Sequence, residues 1–211
     1  MMKKLIPLLF CIAATLYAKE QHPITKVNAW FKEEQTRTTG TFHKFATLAT
    51  VSRDGHPHTR MIELVGLNPQ QGGLFFTHKN SEKVKHLEHS SHAALNIWLP
   101  QTHRQISIDG VVSQISEAEA EKSWNRMPRF MKITFMASTH QGEISSNEVL
   151  EERKKQLEEL YPKEIPMPGT FVGYRILPQK VIFYEIQSKS FPIKHIALIG
   201  SDDWSICQVE P

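Results

Sequence analysis

Apolar residues recur at helical spacing from Ile24 to about Arg37, with Val27, Trp30 and Phe31 on one face, and predict a short amphipathic helix. Alternation then takes over. Phe45 to Val51 and Thr59 to Leu67 predict a hairpin around Arg53-Asp54-Gly55, where the glycine supplies the positive φ of a tight turn. Leu74 to Thr77 predicts a third strand, after which Ser81 caps a brief helix through His86. Ala93 to Leu99 and Arg104 to Ile115 predict a second antiparallel pair, with Ile106, Ile108 and Val112 favouring the pleat. Ser116 with Glu119 forms a capping box that opens a helix to about Arg126, and Ser145 with Glu148 opens another through Leu160. In the second of these, Val149, Leu150, Leu157 and Leu160 share a face and pairs such as Glu151 with Lys155 share the other, which predicts a packing helix without chemistry. Four further strands are predicted at Phe171 to Leu177, Val181 to Ile186, His195 to Ile199 and Trp204 to Val209. Strands outnumber helices at regular spacing, so the expected architecture is mainly β: an antiparallel barrel with helices packed outside it.

The 211 residues fit one domain, and no repeat or low-complexity linker divides them. The first residues change that picture only at the edge. Lys3 and Lys4 precede an apolar run from Leu5 to Tyr17, the layout of a secretory signal peptide over residues 1–18, with Ala18–Lys19 as the cleavage point. The run is too short for a stable membrane anchor. The expectation is an exported, periplasmic chain whose residues 19–211 form the single domain, or a cytoplasmic one where the segment is not a signal. Cleavage removes two lysines and no acids, leaving 23 basic against 22 acidic residues. Neither that balance nor the formal +3 of the whole chain suits a dedicated nucleic-acid binder, so the expected partner is a small molecule. Only Cys207 would remain, which excludes an intrachain disulfide and a cysteine-rich metal site; its thiol is expected to pack within the last strand.

No GxGxxG, GxxxxGKS or GxSxG pattern is present. His86, His89 and His92 are spaced by three, but with Lys83, Lys85, Glu88 and Ser90 around them they predict a solvated helix end and no metal site. The same reading applies to His56-Pro57-His58 beside its turn. What remains is a scattered polar set on or beside strands: Arg60, Thr77, Lys83, Arg104 and Gln105.

Five stretches in order give that set a context: LATVSRDGHPHTRMIELVG, LFFTHKNSEK, HRQISIDGVV, VGYRILPQKVIFYE and DDWSICQVEP. Together they resemble the pyridoxamine 5′-phosphate oxidase family over nearly all of the chain after residue 18. The resemblance implies an FMN-binding split β-barrel, a homodimer, and FMN in two clefts at the subunit interface. It implies that Arg60 reaches the FMN phosphate, a role for which a bidentate guanidinium is better suited than lysine. Backbone groups of Met61 and Ile62 would line the isoalloxazine, Phe76-Thr77 would match the family's aromatic-threonine pair, and Lys83 would meet the phosphate although Glu82 replaces the family's arginine beside it. Gln105 would bond the cofactor. The family's glutamine-serine pair falls on His140-Gln141, its flavin-side tryptophan on Tyr184 and its last cofactor arginine on about Lys194.

The substrate side departs further. The lysine, tyrosine, arginine and serine that grip the substrate phosphate in the family align with Val65, Ser123, Met127 and Met131, and the late element flanking the substrate ring reads Ser190-Phe191-Pro192. Charge-assisted hydrogen bonds worth about 1.5–3 kcal/mol each are thereby lost. The expected function is an FMN-dependent oxidoreductase whose substrate is less anionic and more apolar than pyridoxamine phosphate. The alternatives are genuine pyridoxamine or pyridoxine 5′-phosphate oxidation through a phosphate site rebuilt around Arg126 or Arg129, and a non-enzymatic module that binds flavin or haem. No catalytic acid or base is identified.

Overall fold

The computed structural model describes residues 22–42, 44–138, 143–200 and 203–211. The expected signal segment and the expected cofactor residue Gln141 lie outside them. The first described element is helix α1 (Pro23–Arg37), started by Pro23 in its first turn and by the His22 ring, which accepts from the Ile24 N–H. Strands β1 (Phe45–Val51) and β2 (Pro57–Glu63) form the hairpin, followed by β3 (Gly66–Asn68), β4 (Gly72–His78), α2 (Glu82–His89), β5 (His92–Leu99) and β6 (Arg104–Gln114). Three helices come next, α3 (Glu117–Arg126), α4 (Arg129–Ala137) and α5 (Glu148–Leu160). Strands β7 (Phe171–Glu185), β8 (Ile193–Ile199) and β9 (Trp204–Val209) close the chain.

All strand pairings are antiparallel, in the order β2-β1-β5-β6-β7-β4-β3, with β8 on β7 and β9 on β8. β7 is the spine: its first half pairs with β4 and its second with β8, while β6 runs along it from Tyr174 to Glu185. At the other end of the order, the Val65 N–H just beyond β2 donates to the Leu74 carbonyl of β4 at 2.9 Å, drawing the sheet round into a barrel. This is the expected antiparallel split barrel with peripheral helices.

Alternation along the strands divides the apolar residues into two cores. Leu48, Phe75, Leu95, Ile106, Ile108, Ile176, Val181 and Phe183 fill the barrel, which α1 caps with Ile24, Val27 and Phe31. On the other face of β4, Leu74 and Phe76 join a second core of Trp124, Ile133, Ile165 and Phe171 beneath α3 and α4. Trp124 satisfies its buried indole N–H on the Ile165 carbonyl at 2.9 Å. Gly173 lies opposite Phe76 because a Cβ there would sit 2.7 Å from the Phe76 ring and 2.6 Å from Ile115. A larger residue would push Phe76 off its stack with Phe171, whose centroid is 4.8 Å away.

Several expectations need correction. The two strands expected at Phe171 to Leu177 and Val181 to Ile186 are one: Pro178 sits where the register shifts between Asp109 and Gly110, a bulge that absorbs its missing N–H. Thr59 to Leu67 is split instead, into β2 and β3. α4 is an addition to the expected elements: its run RFMKITFMA is short, Arg129 and Lys132 interrupt its apolar residues, and no side chain caps it. α2 extends to His89, and Ser81 makes no capping bond. α5 starts after Asn147, buries none of its residues fully and leaves Leu160 66% exposed. Cys207 is exposed, since its strand is the last of the sheet.

Candidate functional site

Along β2 the side chains of Arg60 and Ile62 point to the barrel side and that of Met61 points outward, so the expected flavin-lining pair Met61-Ile62 is divided: Ile62 is 7% exposed and Met61 62%. Arg60 stands opposite Leu48 of β1, at the end of the barrel interior. Its Nη1 donates to Thr50 Oγ1 at 2.6 Å, to the His58 carbonyl at 3.1 Å and to the Leu48 carbonyl at 3.3 Å. Nη2 and Nε make no hydrogen bond among the described residues.

Thr77 reaches the same end from β4, on the face that carries Phe75 into the core. Its hydroxyl receives Lys83 Nζ at 3.0 Å and lies 3.2 Å from Ser81 Oγ, Ser81 preceding α2 and Lys83 lying in its first turn. The helix thus directs its N-terminus, with its positive end, to the place where Lys83 and Arg60 gather. Burial lowers the Arg60 pKa, and Glu82 opposes the shift. Lys83 is lowered likewise, first by burial and then by the nearby Arg60 charge. Neither cation has a carboxylate within ion-pair distance among the described residues. Two half-buried cations, two hydroxyls and a helix N-terminus make a donor set that fits a phosphate dianion. The residues present therefore fit the phosphate of FMN.

Gln105, Tyr184 and Lys194 form a different constellation. Trp98, Gln105, Tyr184 and Lys194 are register partners across β5, β6, β7 and β8, so their side chains share one face. That face is the outer one, opposite the buried Ile106 and Ile108, and Gln105 there donates to Ser107 Oγ at 3.2 Å. Within one chain the row does not meet the Arg60–Lys83 cradle.

The four expected substrate positions do converge. Val65, Ser123, Met127 and Met131 line one cleft of about 510 Å³ together with Lys44, Glu63, Phe76 and Arg126. An adjoining hollow of about 300 Å³ adds Phe130, Thr134 and Phe135. Ser123, the hydroxyl that remains of the family's substrate set, turns back to donate to the Glu119 carbonyl at 3.2 Å. Arg129 is committed elsewhere, donating to the Lys163 and Tyr161 carbonyls. Arg126 lines the cleft and makes no ion pair among the described residues.

Arg104 leaves the candidate set, because its guanidinium lies between Glu33 and Glu185 and over the Trp30 ring, 4.7 Å from the centroid. Sequence reasoning missed Thr50 and Ser81, and it read His86 as solvated. His86 is 6% exposed, its Nδ1 lies 3.0 Å from Thr50 Oγ1, and its ring is 4.6 Å from that of His58. Thr50 carried a signal: it continues the inward series of Ala46 and Leu48 with a hydroxyl. Among the described residues, no group of three or more His, Cys, Asp or Glu could hold a metal ion, and no helix is long and apolar enough to cross a membrane.

A split barrel with a cluster of half-buried cations at its end and a separate apolar cleft under its helices has the architecture of the FMN-binding split-barrel family. The chain belongs to the pyridoxamine 5′-phosphate oxidase family, whose sequence profile matches residues 33–183. A pyridoxine/pyridoxamine 5′-phosphate oxidase of Cyanothece sp. is 30% identical over 91% of this chain and 90% of its own length. One from Leptospira biflexa is 33% identical, over 90% and 89%. PhzG from Burkholderia lata, solved in complex with tetrahydrophenazine-1-carboxylic acid, superposes with a TM-score of 0.82 at 26% identity and covers 98% of this chain and 99% of its own.

Proposed function

We propose that this chain is an FMN-dependent oxidoreductase, working as an exported homodimer, whose substrate is a flat, largely apolar ring with at most one acidic group. The observation that carries the cofactor reading is the Arg60–Lys83 pair: two half-buried cations with donors to spare and no carboxylate in reach. Arg60, Lys83, Thr77 and Ser81 would hold the phosphate. When bound, FMN supplies the redox chemistry.

The dimer reading rests on the outer sheet face. It leaves Phe45, Met61 and Trp98 between 48% and 62% exposed towards the end of the sheet that carries the Gln105–Tyr184–Lys194 row. Contiguous apolar exposure of this kind marks an interaction surface. Covered by a second copy, the face would bring that row from one protomer towards the cradle of its partner and complete the site from two half-sites.

For the substrate, Val65, Met127 and Met131 put apolar side chains where the family grips a phosphate, and Phe76 and Phe130 add aromatic surface. The cleft's own role is to exclude water from the ring and hold it flat; Arg126 is placed to meet a single carboxylate at its wall. A partly reduced ring acid of the kind bound by the Burkholderia protein has that chemistry. A second reading, oxidation of pyridoxamine 5′-phosphate itself, is favoured by the same Arg126 and by the names of the relatives.

The test is the absorption spectrum of the purified protein before and after equimolar FMN, repeated with Arg60→Ala. A flavin spectrum is expected for the wild type, with about a hundredfold weaker binding in the variant, equivalent to about 2.7 kcal/mol. No uptake by the wild type would overturn the reading, and a Soret band on adding haem would replace it with the binding-module alternative. With FMN bound, hydrogen peroxide release on a partly reduced ring acid and not on pyridoxamine 5′-phosphate would sustain the substrate class; the reverse pattern would establish the second reading.

A further inference from the structure

We propose that His86 is a positioning residue for the phosphate-binding arginine: through the Thr50 hydroxyl, its Nδ1 holds the guanidinium of Arg60 with Nη2 and Nε left for the ligand. The inference deepens the FMN reading and rests on it.

The protons available fix which group donates in each of these hydrogen bonds. A guanidinium only donates, so at 2.6 Å Thr50 Oγ1 must accept from Arg60 Nη1. The hydroxyl has one proton of its own, and His86 Nδ1, at 3.0 Å, is the group placed to accept it. An acceptor Nδ1 requires a neutral ring with its proton on Nε2. The surroundings favour that state. Thr50 is 2% exposed, His86 is 6% exposed, and the His58 ring lies against His86 at a centroid distance of 4.6 Å. Burial first, and then the His58 charge, lower the His86 pKa, with Arg60 acting in the same sense and Glu82 and Asp54 opposing.

The direction of the chain gives it a function. Nη1 carries two protons and faces three acceptors, all on β1 and β2, so that nitrogen is tethered to the sheet. The shortest of the three contacts is the one to Thr50, and it is best aligned while the Thr50 proton points away to His86. Remove the acceptor and that proton has to seek another partner, so the hydroxyl turns and the shortest of the three tethers on Nη1 weakens, leaving the two longer carbonyl contacts to orient the guanidinium. An arginine held less firmly binds a phosphate with more of its rotational entropy still to be lost.

The experiment compares FMN with riboflavin, which has the same ring and no phosphate, by fluorescence titration of the full chain. His86→Leu should lower FMN affinity about tenfold and leave riboflavin affinity within twofold. His86→Asn, whose Oδ1 can take the place of Nδ1, should restore most of the loss. Thr50→Val should reproduce His86→Leu, and Thr50→Ser should behave as wild type; this pair serves as an independent test should His86→Leu fail to fold. An unchanged FMN-to-riboflavin ratio in His86→Leu and Thr50→Val, or equal losses for both ligands, would overturn the proposal. Arg60→Ala separates the two levels. If it leaves the ratio unchanged, the phosphate reading itself fails. If it abolishes the FMN advantage while His86→Leu does not, only the role of His86 falls.

Discussion

Two charged constellations lie at different places in the barrel, and they differ in whether the protein answers its own charge. Glu34 of α1 is 1% exposed, and its carboxylate accepts from the Gln101 N–H at 2.8 Å, the Thr102 N–H at 3.0 Å and the Thr102 hydroxyl at 2.8 Å. It pins the opening helix to the turn between β5 and β6. The Arg60–Lys83 cradle is the reverse: donors exceed acceptors, and burial lowers the pKa of both cations. Arg104 belongs with Glu34, since Glu33 and Glu185 close around it. A buried charge saturated from within holds the fold, whereas one left short of partners is built for something that arrives.

The largest effect expected from this contrast is on stability at the saturated site. Glu34→Ala strands two backbone N–H groups and a hydroxyl, and should cost about 3 kcal/mol. In a chain of this size that is a fall in Tm of roughly 6–12 °C by calorimetry. FMN affinity measured where the variant is still folded should stay within threefold of wild type. A larger loss would mean that the two constellations are coupled and the contrast is false.

Lys83→Met is the complementary change and a smaller one. Methionine keeps the apolar stem and removes an ammonium that burial and Arg60 both disfavour. Thr77 keeps Ser81 Oγ as a partner. The ligand-free protein should therefore melt no lower than wild type, while FMN affinity falls about tenfold, or about 1.4 kcal/mol. A marked drop in the Tm of the ligand-free variant would place Lys83 with Glu34 among the structural charges.

The same contrast explains what could be read from the sequence. Strand alternation was legible because most strands bury one face, and the split barrel followed from it and from the family resemblance. β7 was not legible as one strand, because Pro178 reads as a break until the bulge opposite Asp109 and Gly110 is seen. α4 was hidden by its shortness and by the lack of a capping side chain, although it carries Met131 into the cleft. Arg60, Thr77 and Lys83 were identified by resemblance, and the structure draws them to one end of the barrel. The Thr50–His86 link was out of reach, since its partners are 36 residues apart and meet only when α2 packs on β1. Composition around His86 describes a solvated helix, and tertiary burial overrides it.

The smallest effect is expected in the pH dependence, and its sign follows from that burial. The His86 pKa is lowered in the folded protein, first by burial and then by His58. Below the unfolded value of about 6.5 the unfolded chain takes up a proton that the folded chain still refuses. Stability is thus fully present above about pH 6.5 and declines as the pH falls below it, until the folded pKa is passed. His22 and His195 are lowered as well, chiefly by burial, and act in the same direction. Glu33, lowered chiefly by its hydrogen bond from Arg104, adds its own loss only in the more acidic carboxylate range. Between pH 7.5 and about 5.5 the histidines therefore govern the slope, and Tm should fall by no more than a few °C. His86→Asn cannot take up that proton, so its Tm should fall less steeply over the same interval, with the remaining slope left to His22 and His195. A variant slope equal to that of the wild type would show that His86 is not held neutral by the fold, and would set the Thr50 hydroxyl free of the role that ties it to Arg60.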